Sequence, residues 1–143
     1  MALTDEEQDR MRNLLREAIL QTPFVGLLGI VIEKWDPTAA RLRLPFSPSL
    51  TNDDVSYHGG VVASLIDTAG AAAVWAGHDF SRGTRGATIS LTVNYTRAGR
   101  GTDLIADATC VKRGRDLSFS EIRVSDTDDR GIATGSFVYK ISP

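Results

Sequence analysis

The chain has 143 residues, enough for one domain with its own core. Its makeup, 42% hydrophobic and 24% charged, is that of a globular protein, and a net charge of −2 offers no overall positive field to draw nucleic acid or an anionic membrane surface. The single cysteine, Cys110, excludes an internal disulfide, and Met1–Arg10 is acidic and polar rather than leader-like, so the expected location is the cytoplasm.

Thr4-Asp5-Glu6-Glu7 reads as a helix start, with Thr4 as N-cap and Glu7 closing a capping box. Met11, Leu14, Leu15, Ala18 and Ile19 follow at helical spacing, which predicts an amphipathic helix over residues 5–20. Thr22-Pro23 ends it or starts a short turn through Val25, so that residues 1–25 form a helical preface to a core of residues 26–143 within a single domain. Residues 29–35 and 39–44 read as strands joined at Asp36-Pro37; in the second, Ala40, Leu42 and Leu44 alternate with Arg41 and Arg43. Pro45–Tyr57 is a loop of a length that is functional or disordered in most compact domains.

Gly59–Ala76 is the most apolar helix the chain can form, and Asp67 at its centre is its only ionisable group. It is shorter than the roughly 20 strongly apolar residues a membrane span needs, so it reads as a helix enclosed by protein and ending near Gly77-His78. A carboxylate so placed is expected to lose water and to need a partner, and it is a candidate base or nucleophile. Everything after residue 84 reads as β: Ala87, Ile89, Leu91, Val93 and Tyr95 alternate with polar residues, and strands over 102–113, 117–126 and 132–141 follow Ala98–Gly101, Gly114–Asp116 and Asp128–Gly131. Short turns between successive strands imply antiparallel neighbours. The expected architecture is α+β, a curved antiparallel sheet of five to six strands wrapped around one long central helix.

On that helix, Gly60, Ala63, Ser64, Gly70 and Ala71 share the face of Asp67, leaving room for a substrate, a water or another subunit. Val61, Val62, Leu65, Ile66, Ala69, Ala72 and Ala73 form the core stripe. The Tyr57-His58-Gly59-Gly60 turn brings unpaired N–H groups and a partial positive charge, able to polarise a carbonyl. Gly59 lies eight residues from Asp67, about 12 Å along the axis, too far for both to act on one carbonyl within a chain. Ser64 has no recognisable base and no GxSxG elbow surrounds it. His58 and His78 lack further ligands at metal spacing, so no metal is expected, and Cys110 shares a face with Leu104, Ala106 and Ala108 as a core residue would. Trp75 and Phe80 fit either core packing or the wall of an acyl pocket. Arg97, Arg100, Lys112, Arg113 and Arg115 outnumber Asp103 and Asp107 between positions 97 and 115, and suit either phosphate contacts or ordinary solvated turns.

The run Asn52…His58-Gly59-Gly60-Val61-Val62-Ala63-Ser64-Leu65-Ile66-Asp67-Thr68-Ala69, with Asn94-Tyr95, Arg97-Ala98-Gly99 and Lys112-Arg113-Gly114-Arg115, resembles the hotdog-fold acyl-CoA thioesterases of the PaaI-like (phenylacetic-acid-degradation) type. The resemblance spans about Gly26 to Tyr139. It implies a hotdog fold, an obligate homodimer with sheets joined edge to edge, often doubled to a tetramer, and active sites at the dimer interface. By position it implies Asp67 as general base or nucleophile and the Gly59 N–H, with Gly60 nearby, as carbonyl-polarising donor from the other subunit. Asn52 would hold the water or thioester, His58 would shape the turn or touch substrate, and Thr88 would assist the water. Gly60, Ser64, Arg97, Lys112, Arg113 and Arg115 are the candidate substrate contacts, the basic ones toward CoA, which is part of the substrate; no separate cofactor is implied. The segment Asn52–Tyr57 lacks the glycine common in the family before this turn. A hydratase or dehydratase would need an Asp–His acid/base pair in another arrangement, and an acyl-CoA-binding sensor could dispense with Asp67; both rank below the thioesterase.

Overall fold

The computed structural model describes all 143 residues. Helix α1, Asp5–Gln21, opens with the capping box read from sequence: the Glu7 N–H donates to Thr4 Oγ1 at 3.2 Å and the Thr4 N–H to Glu7 Oε2 at 2.8 Å. Helix α2, Pro23–Leu28, is a full turn longer than expected, because Gly29, at φ +76°, caps it and delays the first strand to Val31. Strands β1, Val31–Asp36, and β2, Ala39–Leu44, form the predicted hairpin. After the loop comes α3, Gly59–Ala76, then β3, Arg85–Tyr95, β4, Leu104–Arg113, β5, Leu117–Ser125, and β6, Gly131–Ser142.

The six strands form one antiparallel sheet in the order β1-β2-β4-β5-β6-β3, with α3 packed chiefly on β4, β5 and β2. This is the curved sheet around a central helix that defines a hotdog fold. The order corrects the expectation that β3 and β4 are neighbours. They stand three positions apart, about 14 Å at normal strand spacing. The segment between them crosses that gap along the end of the sheet, with the Thr96 and Arg97 N–H groups donating to Ile132 O at 2.9 and 3.2 Å.

Six of the seven residues of the stripe read as core, Val62, Leu65, Ile66, Ala69, Ala72 and Ala73, are buried, Leu65 and Ile66 completely, whereas Val61, in the first turn, packs against the core only partly buried. Although α3 is long and apolar enough to cross a membrane, it is mostly buried inside this sheet. Gly70 corrects the reading that put it on the open face. It is buried, a Cβ there would stand 2.7 Å from the Phe137 ring, and the Ser120 hydroxyl donates to Gly70 O at 3.1 Å. The missing side chain sets the distance between helix and sheet. The remaining small residues, Gly60, Ala63, Ser64, Thr68 and Ala71, keep partial exposure beside Asp67.

Strand β3 departs from expectation in a way that matters for the site. Its two-residue period predicts one buried face, yet no β3 residue is buried. It is an edge strand, paired only with β6. Thr88 pairs with Tyr139 and Ser90 with Val138, leaving Ile89 as an extra, exposed residue in a bulge. An extra residue reverses the side-chain phase. Thr88, which strict alternation places opposite Leu91 and Val93, therefore faces α3 together with them.

Replacing Gly70 by Val is expected to lower unfolding free energy by about 2 kcal/mol, because a fully buried Phe137 must move. Denaturant unfolding monitored by circular dichroism measures the change.

Candidate active site

Asp67 sits midway along α3 and is half-buried rather than enclosed, because the small residues around it leave one side open. The Thr88 hydroxyl donates to Asp67 Oδ1 at 2.7 Å. Both line a cleft of about 330 Å³, walled by Ile19 and Val25 before the core, Ala71 and Trp75 on α3, and Tyr139 on β6. Within the protein only Oδ1 of the carboxylate is engaged, so Oδ2 is free to take a proton. Tyr139 was not singled out by sequence reasoning. Its hydroxyl accepts from Trp75 Nε1 at 3.2 Å, and burial raises its pKa despite that bond, with the Asp67 charge adding to the rise. The phenol thus stays protonated in the cleft wall. A Cβ on Gly86 would collide with Tyr139 and Trp75, so that glycine lets both side chains reach the cleft.

At the start of α3 the geometry separates four amides that look equivalent in sequence. His58 is the N-cap, and its Nδ1 accepts from the Gly60 N–H at 2.8 Å. Its backbone carbonyl takes the N–H groups of Val61 and Val62 at 3.0 and 3.4 Å. The Gly59 N–H has no partner within the protein. One unpaired donor therefore remains at the positive end of the helix. Beside it lies a second cleft, about 410 Å³, bounded by Gly59, Tyr95, Arg97 and Ala98 among others. Tyr95, on β3 and one of the residues that carry the family resemblance, donates from its hydroxyl to Gly59 O at 2.6 Å.

The predicted residues therefore fall into two groups. Asp67 and Thr88 meet in one cleft; Gly59, Gly60, His58 and Arg97 gather at the other end of the exposed half of α3, with Asn52 in the adjoining loop. The two clefts share no lining residue. Asn52 is exposed and held by its backbone, its N–H donating to Ser56 O at 2.9 Å. Asp54 takes φ +70°, the left-handed conformation that the absent glycine would favour; the Asp53 carboxylate stabilises the turn by accepting from the Val55 and Ser56 N–H groups at 3.1 and 2.6 Å. The Ser64 hydroxyl is spent on Gly60 O at 2.7 Å, so it is no nucleophile in this arrangement.

The basic cluster does not form one patch. Arg97 is at the N-terminal end of α3, whereas Arg113 is at its C-terminal end, where one Nη donates to Pro37 O, Ala73 O and Val74 O at 2.7, 3.0 and 3.3 Å. These ends are separated by about 27 Å of helix. Arg113 is occupied in closing the last turn of α3, and Arg115 lies in a crevice beside it. Lys112 projects exposed from the end of β4. They are close in the sequence, but the ten residues of β4, about 33 Å of strand, carry the chain from one end of α3 to the other between them.

Because His58 acts through an acceptor on the N-cap side chain, His58→Ala is expected to lose about 1 kcal/mol of stability and His58→Asn to retain most of it. Thermal and denaturant unfolding of the two variants separates capping from any contact with substrate.

Comparison with known proteins agrees with this architecture. Residues 56–133 match the family model described as "Thioesterase superfamily". A Halobacterium salinarum protein named "Putative esterase VNG_1336C" is 35% identical, covering 94% of this chain and 96% of its own. The "Medium/long-chain acyl-CoA thioesterase YigI" of Salmonella typhimurium is 26% identical over 86% of this chain and 88% of its own. A crystal structure from Shewanella oneidensis, described as related to the thioesterase superfamily, shares the fold with a TM-score of 0.86, covering 97% of this chain and all of its own at 24% identity. A hotdog sheet around a helix that begins His58-Gly59-Gly60 and carries Asp67, together with a family match over more than half its length, makes this chain a member of the thioesterase superfamily, a thioester hydrolase.

Proposed function

We propose that the chain hydrolyses acyl-CoA thioesters at a site shared by two copies, Asp67 and Thr88 coming from one and the Gly59 N–H from the other. The observation that carries this reading is the division of the machinery: a half-open carboxylate with one free oxygen, and a single unpartnered helix-start amide in a separate cleft. The exposed β3 edge supports self-association. It bears Ile89 and Tyr95, each more than half exposed, and its outer backbone groups are unpaired. Two β3 strands paired antiparallel would set the Asp67 end of one chain against the Gly59 end of its partner, because Thr88 and Tyr95 mark opposite ends of the strand.

Chemically, Asp67 Oδ2 takes a proton from water as the water oxygen attacks the thioester carbonyl. Thr88, donating to Oδ1, keeps its oxygen lone pairs to orient that water. The carbonyl oxygen becomes an oxyanion against the Gly59 N–H. The C–S bond then breaks, and the proton held by Asp67 passes to the leaving sulfur, giving a carboxylic acid and free CoA. A thioester has little of an amide's resonance, so one base and one donor suffice. Arg97, beside the Gly59 cleft, is placed to meet a CoA phosphate.

Two substitutions test the halves separately. Asp67→Asn keeps an acceptor for Thr88 and is expected to lower kcat by about 10²–10⁴-fold. Gly59→Pro replaces the N–H by a ring carbon; proline suits the first helical position, its Cβ meets the Tyr95 ring at an ordinary 3.5 Å, and His58 at ψ 134° already has the conformation a following proline requires. It is expected to lower kcat by about 10²–10³-fold without unfolding the protein. Neither alone shows that the site is shared. Unfolded and refolded together, the two variants form mixed dimers with one intact site each, and activity should return to about a quarter of wild type. Free-thiol release from acyl-CoA reads all three; undiminished hydrolysis by Asp67→Asn would refute the mechanism, and absence of complementation would refute sharing.

A further inference from the structure

Helix α1 is amphipathic, yet none of its residues is buried, and Leu14 on its apolar stripe is 62% exposed. Beneath that stripe lies a groove of about 260 Å³ walled by Met11, Leu14, Leu15, Ala18, Trp75 and Phe80, with Thr84 its one polar residue. Trp75 also walls the Asp67 cleft, so the groove adjoins the candidate active site. The two spaces are lined in step by three segments. On α3, Asp67, Ala71 and Trp75 recur every four residues; on the β3 side, Thr88, Gly86 and Thr84 recur every two; on α1, Ile19 leads back to Leu15 and Met11. Eight residues of helix span about 12 Å, and four residues of strand about 13 Å. Each segment thus runs an equal distance away from the carboxylate.

We infer that this groove is the acyl channel and that its occupant is a straight alkyl chain of medium or greater length. The inference rests on the thioesterase reading above, since it takes the Asp67 cleft as the place where the thioester carbonyl sits. The path beyond the carbonyl is lined by the small residues Ala71, Ala87, Gly86 and Ala18, and no charged side chain lines the groove. That suits a methylene chain and leaves a polar or charged acyl group unpaired. The floor is preformed: Trp75 is held by its hydrogen bond to Tyr139 and by stacking on Phe80 at 5.8 Å between ring centroids, with the buried His78 ring edge-on at 5.0 Å. A fixed floor with a loosely packed helix above it makes α1 the element that measures chain length.

Binding of non-hydrolysable S-alkyl-CoA thioethers, from butyl to dodecyl, tests the channel by isothermal titration. Wild-type affinity should rise about three- to fourfold per methylene and level off once the chain passes Met11. Ala18→Phe fills the groove and Leu14→Glu charges it; both positions are exposed, so folding is not at risk, and both should abolish the increments for the longer chains. Affinity independent of length in the wild type, or increments unchanged in both variants, would overturn the inference. So would tighter binding of a phenylethyl thioether than of the octyl one. If the groove instead seats a second copy, Leu14→Glu will lower the mass in sedimentation while the increments persist, which also overturns it. Because thioether binding needs no catalysis, length increments surviving alongside an Asp67→Asn enzyme of full activity would refute the mechanism and leave the channel standing. A dead Asp67→Asn enzyme with flat binding would do the reverse.

Discussion

The structure depends on a helix that must be covered on one side and cannot be covered on the other. Helix α3 buries Leu65, Ile66 and their neighbours in the concave sheet, and Gly70 brings it against Phe137. Burying those side chains contributes about 1.5–3 kcal/mol each, which fixes the rotation of the helix about its axis. Asp67 is then turned away from the buried core, toward the β3 edge of the sheet. It stays half-open without needing a buried cation, and the chain holds it with one hydroxyl, that of Thr88. Placing a charge in so apolar a segment is tolerable because packing decides which way it points.

The edge strand supplies the second constraint. β3 touches α3 through two polar contacts, Thr88 on Asp67 and Tyr95 on the Gly59 carbonyl. Both depend on the bulge at Ile89, which restores to one face residues that regular alternation would divide. The same strand leaves its outer backbone unpaired and Ile89 and Tyr95 more than half exposed. At the helix start, His58 removes the Gly60 amide from use and so selects the Gly59 amide as the free donor. Local capping and sheet irregularity, rather than any cluster of catalytic side chains, shape the two halves of the site.

Much of this was legible in the sequence because it depends on near neighbours. The Thr4–Glu7 capping box, the hairpin at Asp36-Pro37, the core stripe of α3 and the unusual Asp67 follow from spacing and side-chain type, and the family resemblance rested on that same run of residues around His58-Gly59-Gly60. Sequence reasoning failed where partners are remote. It joined β3 to β4 because a short turn normally joins neighbours, whereas the curved sheet carries β3 around to β6. It gathered Arg97 and Arg113 into one cluster, though they serve opposite ends of α3. It gave Tyr139 no role, since nothing local distinguishes it from other strand aromatics, and it marked Tyr95 only as part of the family resemblance, without its contact to Gly59.

By itself, then, the sequence determined the elements, the buried face of the central helix and the position of its one carboxylate, because helical and strand periodicities are properties of residues a few positions apart. Only the tertiary structure decided which oxygen of Asp67 is held, which amide at the helix start is free, where the basic side chains go and how α1 lies over Trp75. The Thr88 contact follows from strand order and the inserted residue at position 89, the parting of the basic groups from the length of β4, and the free amide from the His58 side chain on the Gly60 N–H, none of which residue spacing specifies.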